Sequence, residues 1–215
     1  MDKQAVLERI TTTGVVPVIR AQSADEAASA IAAIQKGGLS VLEITMTVPG
    51  AVELIREVAR RATDALVGAG TVLDPATARA CIAAGARFVV SPALSLATVE
   101  ACREAGIAVL PGALTPTEVV TAWNAGADLV KVFPANALGG PSYIKSLKAP
   151  LPAVRLVPTG GVNLQTAKDF IKAGAAALGV GADLVDLAAL RRGEAELITE
   201  RARQFLALVK EARAA

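Results

Sequence analysis

The sequence predicts an α/β fold, a (β/α)8 TIM barrel with an extra N-terminal helix, formed as one domain over residues 1–215. Three observations predict it. An Ala-rich helical stretch ending in Gly is followed within a few residues by an apolar run, in IQKGGLSVLEITM, IAAGARFVVSP, REAGIAVLPGA, WNAGADLVKVFP and IKAGAAALGVG. Gly85, Gly106 and Gly126 fall 21 and then 20 residues apart, a short αβ period. The runs are nearly all apolar rather than alternating, as expected of parallel strands covered on both faces.

The elements follow in order. MDKQAVLERI reads as an amphipathic helix over 2–12, expected to cover the bottom of the barrel. Apolar runs predict strands near 15–20, 41–46, 66–71, 88–92, 108–113, 129–134, 154–159 and 177–181. Between them helices are expected at about 24–36, 50–62, 75–84, 95–105, 116–125, 140–148 and 164–173, with a last one from about 194 to 212. Ser23, Asp74, Thr115 and Asn163 stand where side chains cap helix starts, and the repeated glycines stand where a left-handed residue ends a helix. A doubly wound open sheet is the alternative. It would leave unpaired edges on two strands that look as buried as the rest.

Composition narrows the chemistry. Hydrophobic residues make up 53% and charged residues 20% of the chain, enough to bury a large core. No stretch of about 18 residues is uniformly apolar, and the first residues lack a secretory apolar core, so a cytoplasmic protein is expected. A net charge of +2, with four Phe, one Tyr and one Trp, gives no reason to expect nucleic acid. Cys81 and Cys102 read as buried helix cysteines in a reducing compartment. There is no histidine, which excludes His-based triads, imidazole shuttles and His-ligated metal sites. Acid–base work falls to carboxylates, Lys, Tyr or water.

Barrel chemistry belongs at the carboxyl ends of the strands. There the second strand reads V-L-E-I-T-M-T, the third G-A-G-T, the sixth L-V-K-V-F-P and the seventh L-V-P-T-G-G. Period two puts Glu43 and Thr45 on one face, and Lys131 and Phe133 on another. A lysine inside Leu129-Val130-Lys131-Val132-Phe133 is out of place unless its amine is used as a nucleophile. Glu43 would be the carboxylate that gives and takes protons beside it. The structural alternative is a buried ion pair with no chemistry, a costly arrangement.

Thr159-Gly160-Gly161 and Gly179-Val180-Gly181-Ala182 follow the last two strands, where barrels often hold a phosphate on backbone N–H groups. Arg20, closing the first strand, could clamp a carboxylate or phosphate, or be a solvated surface arginine. Thr71 and Thr159 could bond a substrate carboxylate or hydroxyl; Pro92 and Phe133 could pack against its carbon chain, or serve the barrel alone. Lys145 and Lys148 read as solvated. No GxxxxGK[ST] segment is present, so no nucleotide cofactor is expected, and no metal.

The blocks VVPVIRA, GGLSVLEITMTVPGA, VGAGTVLDP, FVVSPAL, VLPGALTPTE, LVKVFPA, LGGPSYIKSLKAPLP, VRLVPTGGVN and GVGADLV resemble, in order and spacing, the bacterial 2-keto-3-deoxy-6-phosphogluconate (KDPG) aldolases, also active as 4-hydroxy-2-oxoglutarate aldolases. The resemblance implies a homotrimeric, metal-free barrel that cleaves its substrate to pyruvate and glyceraldehyde 3-phosphate. It implies Lys131 as the Schiff-base residue and Glu43 as acid and base. Thr71 would bind the pyruvate carboxylate, and Pro92 and Phe133 would line the pocket. Thr159, Gly160, Gly161, Gly181 and Ala182 would contact phosphate or substrate. Two positions depart: Thr47 stands where some members carry an arginine, leaving Arg20 to supply the charge, and Ala182 stands where others have serine. The rival readings are the same chemistry on an unphosphorylated 4-hydroxy-2-oxo acid or on the galactonate epimer, and a trimeric scaffold that no longer turns over.

Overall fold

Apolar runs become strands and the Ala-rich stretches become helices, in the computed structural model that describes residues 1–61 and 64–214. In order they are α1 (Lys3–Thr13), β1 (Val15–Ile19), α2 (Ala24–Lys36), β2 (Val41–Thr45), α3 (Ala51–Arg61), β3 (Leu66–Gly70), α4 (Pro75–Ala83), β4 (Phe88–Val90), α5 (Leu96–Glu104), β5 (Ala108–Leu110) and β6 (Gly112–Ala113). There follow α6 (Pro116–Asn124), β7 (Val130–Val132), a 3₁₀ turn (Ala135–Leu138), α7 (Pro141–Lys148), β8 (Leu156–Pro158), α8 (Ala167–Lys172), β9 (Leu178–Val180), α9 (Leu187–Arg191) and α10 (Ala195–Ala214). Residue 62, the expected end of the third helix, lies outside the described residues.

All strand pairs are parallel, in a sheet of order β5-β4-β3-β2-β1-β9 and a second of order β6-β7-β8. Backbone bonds span both gaps. Asp128 N–H donates to Val109 O at 3.1 Å and Lys131 N–H to Pro111 O at 2.9 Å; on the other side Ala176 N–H donates to Leu156 O at 2.8 Å, and Thr159 bridges Gly179.

Side-chain alternation divides the core. Val16, Val41, Leu66, Phe88, Leu110, Leu129 and Val157 cluster with Val6, Leu7 and Ile10 of α1, so that helix seals the starts of the strands. The other strand faces, including Leu42, Ile44, Val67, Val89, Val130 and Leu178, pack under the remaining helices. A fully buried aliphatic side chain contributes about 1.5–3 kcal/mol, so α1 adds several.

Ser23, Asp74 and Thr115 accept from backbone N–H groups three residues on, and Thr115 with Glu118 forms a capping box. Gly85, Gly106 and Gly126 all adopt positive φ just past their helices. Asn163 is a partial case: its Oδ1 accepts from Gln165 and Thr166 N–H, but the segment first forms a turn and α8 starts only at Ala167. The expected strand 108–113 is split at Pro111, which has no N–H for the ladder. The 3₁₀ turn and α9 were not foreseen.

Cys81 and Cys102 are buried and unpaired, and burial pushes both thiols up to about 11. Lys148 is not simply solvated: its ammonium donates to Pro152 O at 2.6 Å and Val154 O at 2.9 Å, and burial lowers its pKa. Among the described residues no helix is long and apolar enough to cross a membrane.

Candidate active site

β2 and β7 belong to different sheets, yet their inward faces meet. Lys131 and Glu43 are each 2% exposed, and Lys131 Nζ lies 3.7 Å from Glu43 Oε1. That oxygen has no hydrogen-bond partner among the described residues. A buried acceptor left unsatisfied costs about 1–3 kcal/mol, which an apolar pair would avoid. The ammonium also sits 5.3 Å from the centre of the Phe133 ring.

Glu43 fits because its neighbour on β3 lacks a side chain. A Cβ at Gly70 would lie 2.2 Å from Glu43 Oε1, and one at Gly68 would lie 2.3 Å from the Phe88 ring. The G-A-G-T run therefore makes room for a carboxylate and, below it, an aromatic ring. Thr71, next along, is half-buried with φ 57°, the sole non-glycine residue at positive φ among those described. A β-branched residue held there stores on the order of 1–3 kcal/mol of strain, a feature that concentrates at functional sites.

Thr45 Oγ1 donates to Ile19 O at 2.9 Å and lies 2.6 Å from Thr47 Oγ1, so these two hydroxyls are tied to one another and to β1. Pro92 is half-buried, and its carbonyl crosses so close to Gly112 that a Cβ there would meet it at 2.3 Å.

The loops after β8 and β9 meet Arg20 around a cavity of about 160 Å³. Its lining brings together Arg20, Phe133, Thr159, Gly160, Gly161, Gly181 and Ala182, with Val18, Val162, Gly179 and Asp183. Phe133 is shared between this cavity and the Lys131 ammonium, so the two sites adjoin. Gly160 and Gly161 both take positive φ, 94° and 73°, a double turn that side-chain-bearing residues resist. Arg20 is exposed, with no carboxylate within 4.0 Å among the described residues. Arg20 therefore lines the cavity without a direct ion pair, with Asp183 in the same lining. Thr71 and Pro92 do not line this cavity; they belong to the strand ends nearer Glu43 and β6.

Two residues at the site escaped the sequence reading. Asp183 lines this cavity and the neighbouring one with Asn163, Asp186 and Arg201, and Asn136 of the 3₁₀ turn packs against Gly160 and Gly161. Position in a loop after a strand was the available signal for both. Among the described residues no group of three or more His, Cys, Asp or Glu could hold a metal ion.

The profile of the KDPG and KHG aldolases matches residues 6–201. A 2-dehydro-3-deoxy-phosphogluconate aldolase of Dickeya dadantii is 37% identical over 201 residues, 93% of this chain and 94% of that protein. A KHG/KDPG aldolase of Escherichia coli K12 is 36% identical over 198 residues, 92% of this chain and 93% of its own. A crystal structure of the Legionella pneumophila KDPG aldolase, with pyruvate captured at low pH as a covalent carbinolamine, superposes with a TM-score of 0.85 at 30% identity, covering 94% of this chain and 97% of that one.

Proposed function

This chain belongs to the KDPG and KHG aldolase family, and from that premise we propose that it reversibly cleaves 2-keto-3-deoxy-6-phosphogluconate through a Schiff base on Lys131. The observation that carries the reading is the pair of fully buried groups, Lys131 Nζ and Glu43 Oε1, 3.7 Å apart with no hydrogen-bond partner on the oxygen among the described residues. The Lys131 amine adds to the C2 carbonyl to give a carbinolamine. Glu43 supplies the proton with which the C2 hydroxyl leaves as water, giving an iminium. Glu43, left as a carboxylate, takes the C4 hydroxyl proton, and the C3–C4 bond breaks. Its electron pair enters the iminium to give an enamine, and C4 departs as the aldehyde carbon of glyceraldehyde 3-phosphate. Protonation at C3 and addition of water release pyruvate and the free amine.

Thr71 would hold the pyruvate carboxylate, and Pro92 and Phe133 would flank the carbon chain. The substrate phosphate would sit on the backbone of Gly160, Gly161, Gly181 and Ala182, with Thr159 beside it and Arg20 in place of the charge that Thr47 lacks. The cavity with Arg20 at its rim supports that assignment. The contact of Lys131 with Glu43 across two sheets, with backbone bonds over both gaps, supports one closed (β/α)8 barrel with α1 across its base, forming a single domain over residues 1–215. The family resemblance supports a homotrimer working in the cytoplasm.

A second reading keeps the chemistry and changes the substrate to 4-hydroxy-2-oxoglutarate, favoured by the E. coli relative's double name. Comparing kcat/KM for the phosphorylated and unphosphorylated substrates separates the two, since a phosphate site adds transition-state binding. The mechanism itself is tested by borohydride trapping with pyruvate and peptide mass mapping. A reduced adduct on Lys131 is expected; an adduct elsewhere, or none, removes it.

A further inference from the structure

On the face where the strands begin, opposite the lysine, a cavity of about 570 Å³ opens between α1, the last turns of α3, the start of β3 and the end of α4. It is more than three times the volume of the cavity at Arg20 and falls within the range of small-molecule sites. Four arginines line it: half-buried Arg9 from α1, and exposed Arg56 and Arg60 from α3 and Arg87 just ahead of β4. No aspartate or glutamate lines it among the described residues.

These charges are poorly compensated. Among the described residues only Arg56 has a carboxylate within 4.0 Å, Glu53 Oε1 at 3.7 Å, while Glu57 is taken by Arg61. Arg9 donates to the backbone carbonyl of Asp64, a neutral acceptor that leaves its charge in place. Arg56 and Arg60 lie one turn apart on α3, a like-charge spacing that disfavours the helix. An anion between the four would turn their mutual repulsion into attraction, and planar guanidinium forks match phosphate oxygens in pairs. Ala59, Ala65, Leu66, Ala83 and Ala84 give the hollow an apolar wall able to take the carbon part of such a compound.

We propose that this hollow is a second binding site, distinct from the substrate site, for a compound carrying a diphosphate or two phosphate groups. The test is calorimetric titration of the full chain with inorganic pyrophosphate at low ionic strength, using three proteins: wild type, Arg60→Gln/Arg87→Gln and Arg20→Gln. Wild type and Arg20→Gln are expected to share one pyrophosphate site of equal affinity, any further binding in wild type being confined to the Arg20 cavity, and Arg60→Gln/Arg87→Gln to bind at least tenfold more weakly at the shared site with unchanged aldol cleavage. The proposal is overturned if wild type shows no binding, if Arg60→Gln/Arg87→Gln binds as tightly as wild type, or if the loss is confined to Arg20→Gln.

Discussion

At their first inward positions β2 and β3 present Val41 and Leu66, and Leu129 does the same just ahead of β7, all packed with Val6, Leu7 and Ile10 of α1. Two residues further along, the same faces carry Glu43, Gly68 and Lys131; two further still, Thr45, Gly70 and Phe133. The lower layer is apolar and satisfied. The upper layers hold a buried ion pair, one oxygen of which has no hydrogen-bond partner among the described residues, and two glycines that leave room, and the strained Thr71 follows directly after β3. In these three strands stability is concentrated at one end, and the other end departs from good packing where the proposed chemistry needs it.

Substitutions at the two ends should therefore have opposite signatures. Lys131→Met is expected to lower kcat at least ~10³-fold in an aldol-cleavage assay. Combining it with Glu43→Leu should leave the melting temperature unchanged or raise stability by about 1–4 kcal/mol, since a costly buried pair gives way to apolar contact. A marked loss of stability in that double variant would break the contrast. Glu43→Gln should lower kcat by roughly 10²–10⁴-fold with the fold intact by circular dichroism. Ile10→Ala, at the sealed end, should cost about 2–5 kcal/mol in urea unfolding and leave kcat/KM unaltered.

The smallest expected effect concerns the helices outside. Cys81 and Cys102 have folded-state pKa values raised from 9.0 to about 11, so the native state holds their protons longer than the unfolded state does. Their contribution is complete below pH 9 and is lost as pH rises toward 11. Between pH 8 and pH 10 wild type should lose about 1 kcal/mol per thiol more than Cys81→Ala/Cys102→Ala, read from urea unfolding at both pH values.

Much of this was legible from local pattern. Period two and an apolar setting were enough to pick out Lys131 and Glu43, because a charged residue inside such a run has no solvated place to go. The cap residues Ser23, Asp74 and Thr115 were legible for the same reason, since each acts within three residues of itself. Other features depend on partners distant in sequence. The left-handed turn at Thr71 opposes its own residue preference and is imposed by surrounding structure. The break at Pro111 followed from chemistry visible in the sequence but was hidden by the apolar run around it. Lys148 looked solvated until the chain at 152–154 folded back to supply two carbonyls. The delayed start of α8 reflects Asn163 and Thr166 bonding each other first.

The absent side chain at position 70 limits which sequences can host this chemistry. A single methyl there would intrude to 2.2 Å from the Glu43 oxygen, so the acid and any larger neighbour exclude one another. Changing residue 70 therefore displaces the carboxylate proposed to carry protons, although no atom of that residue takes part in the proposed chemistry.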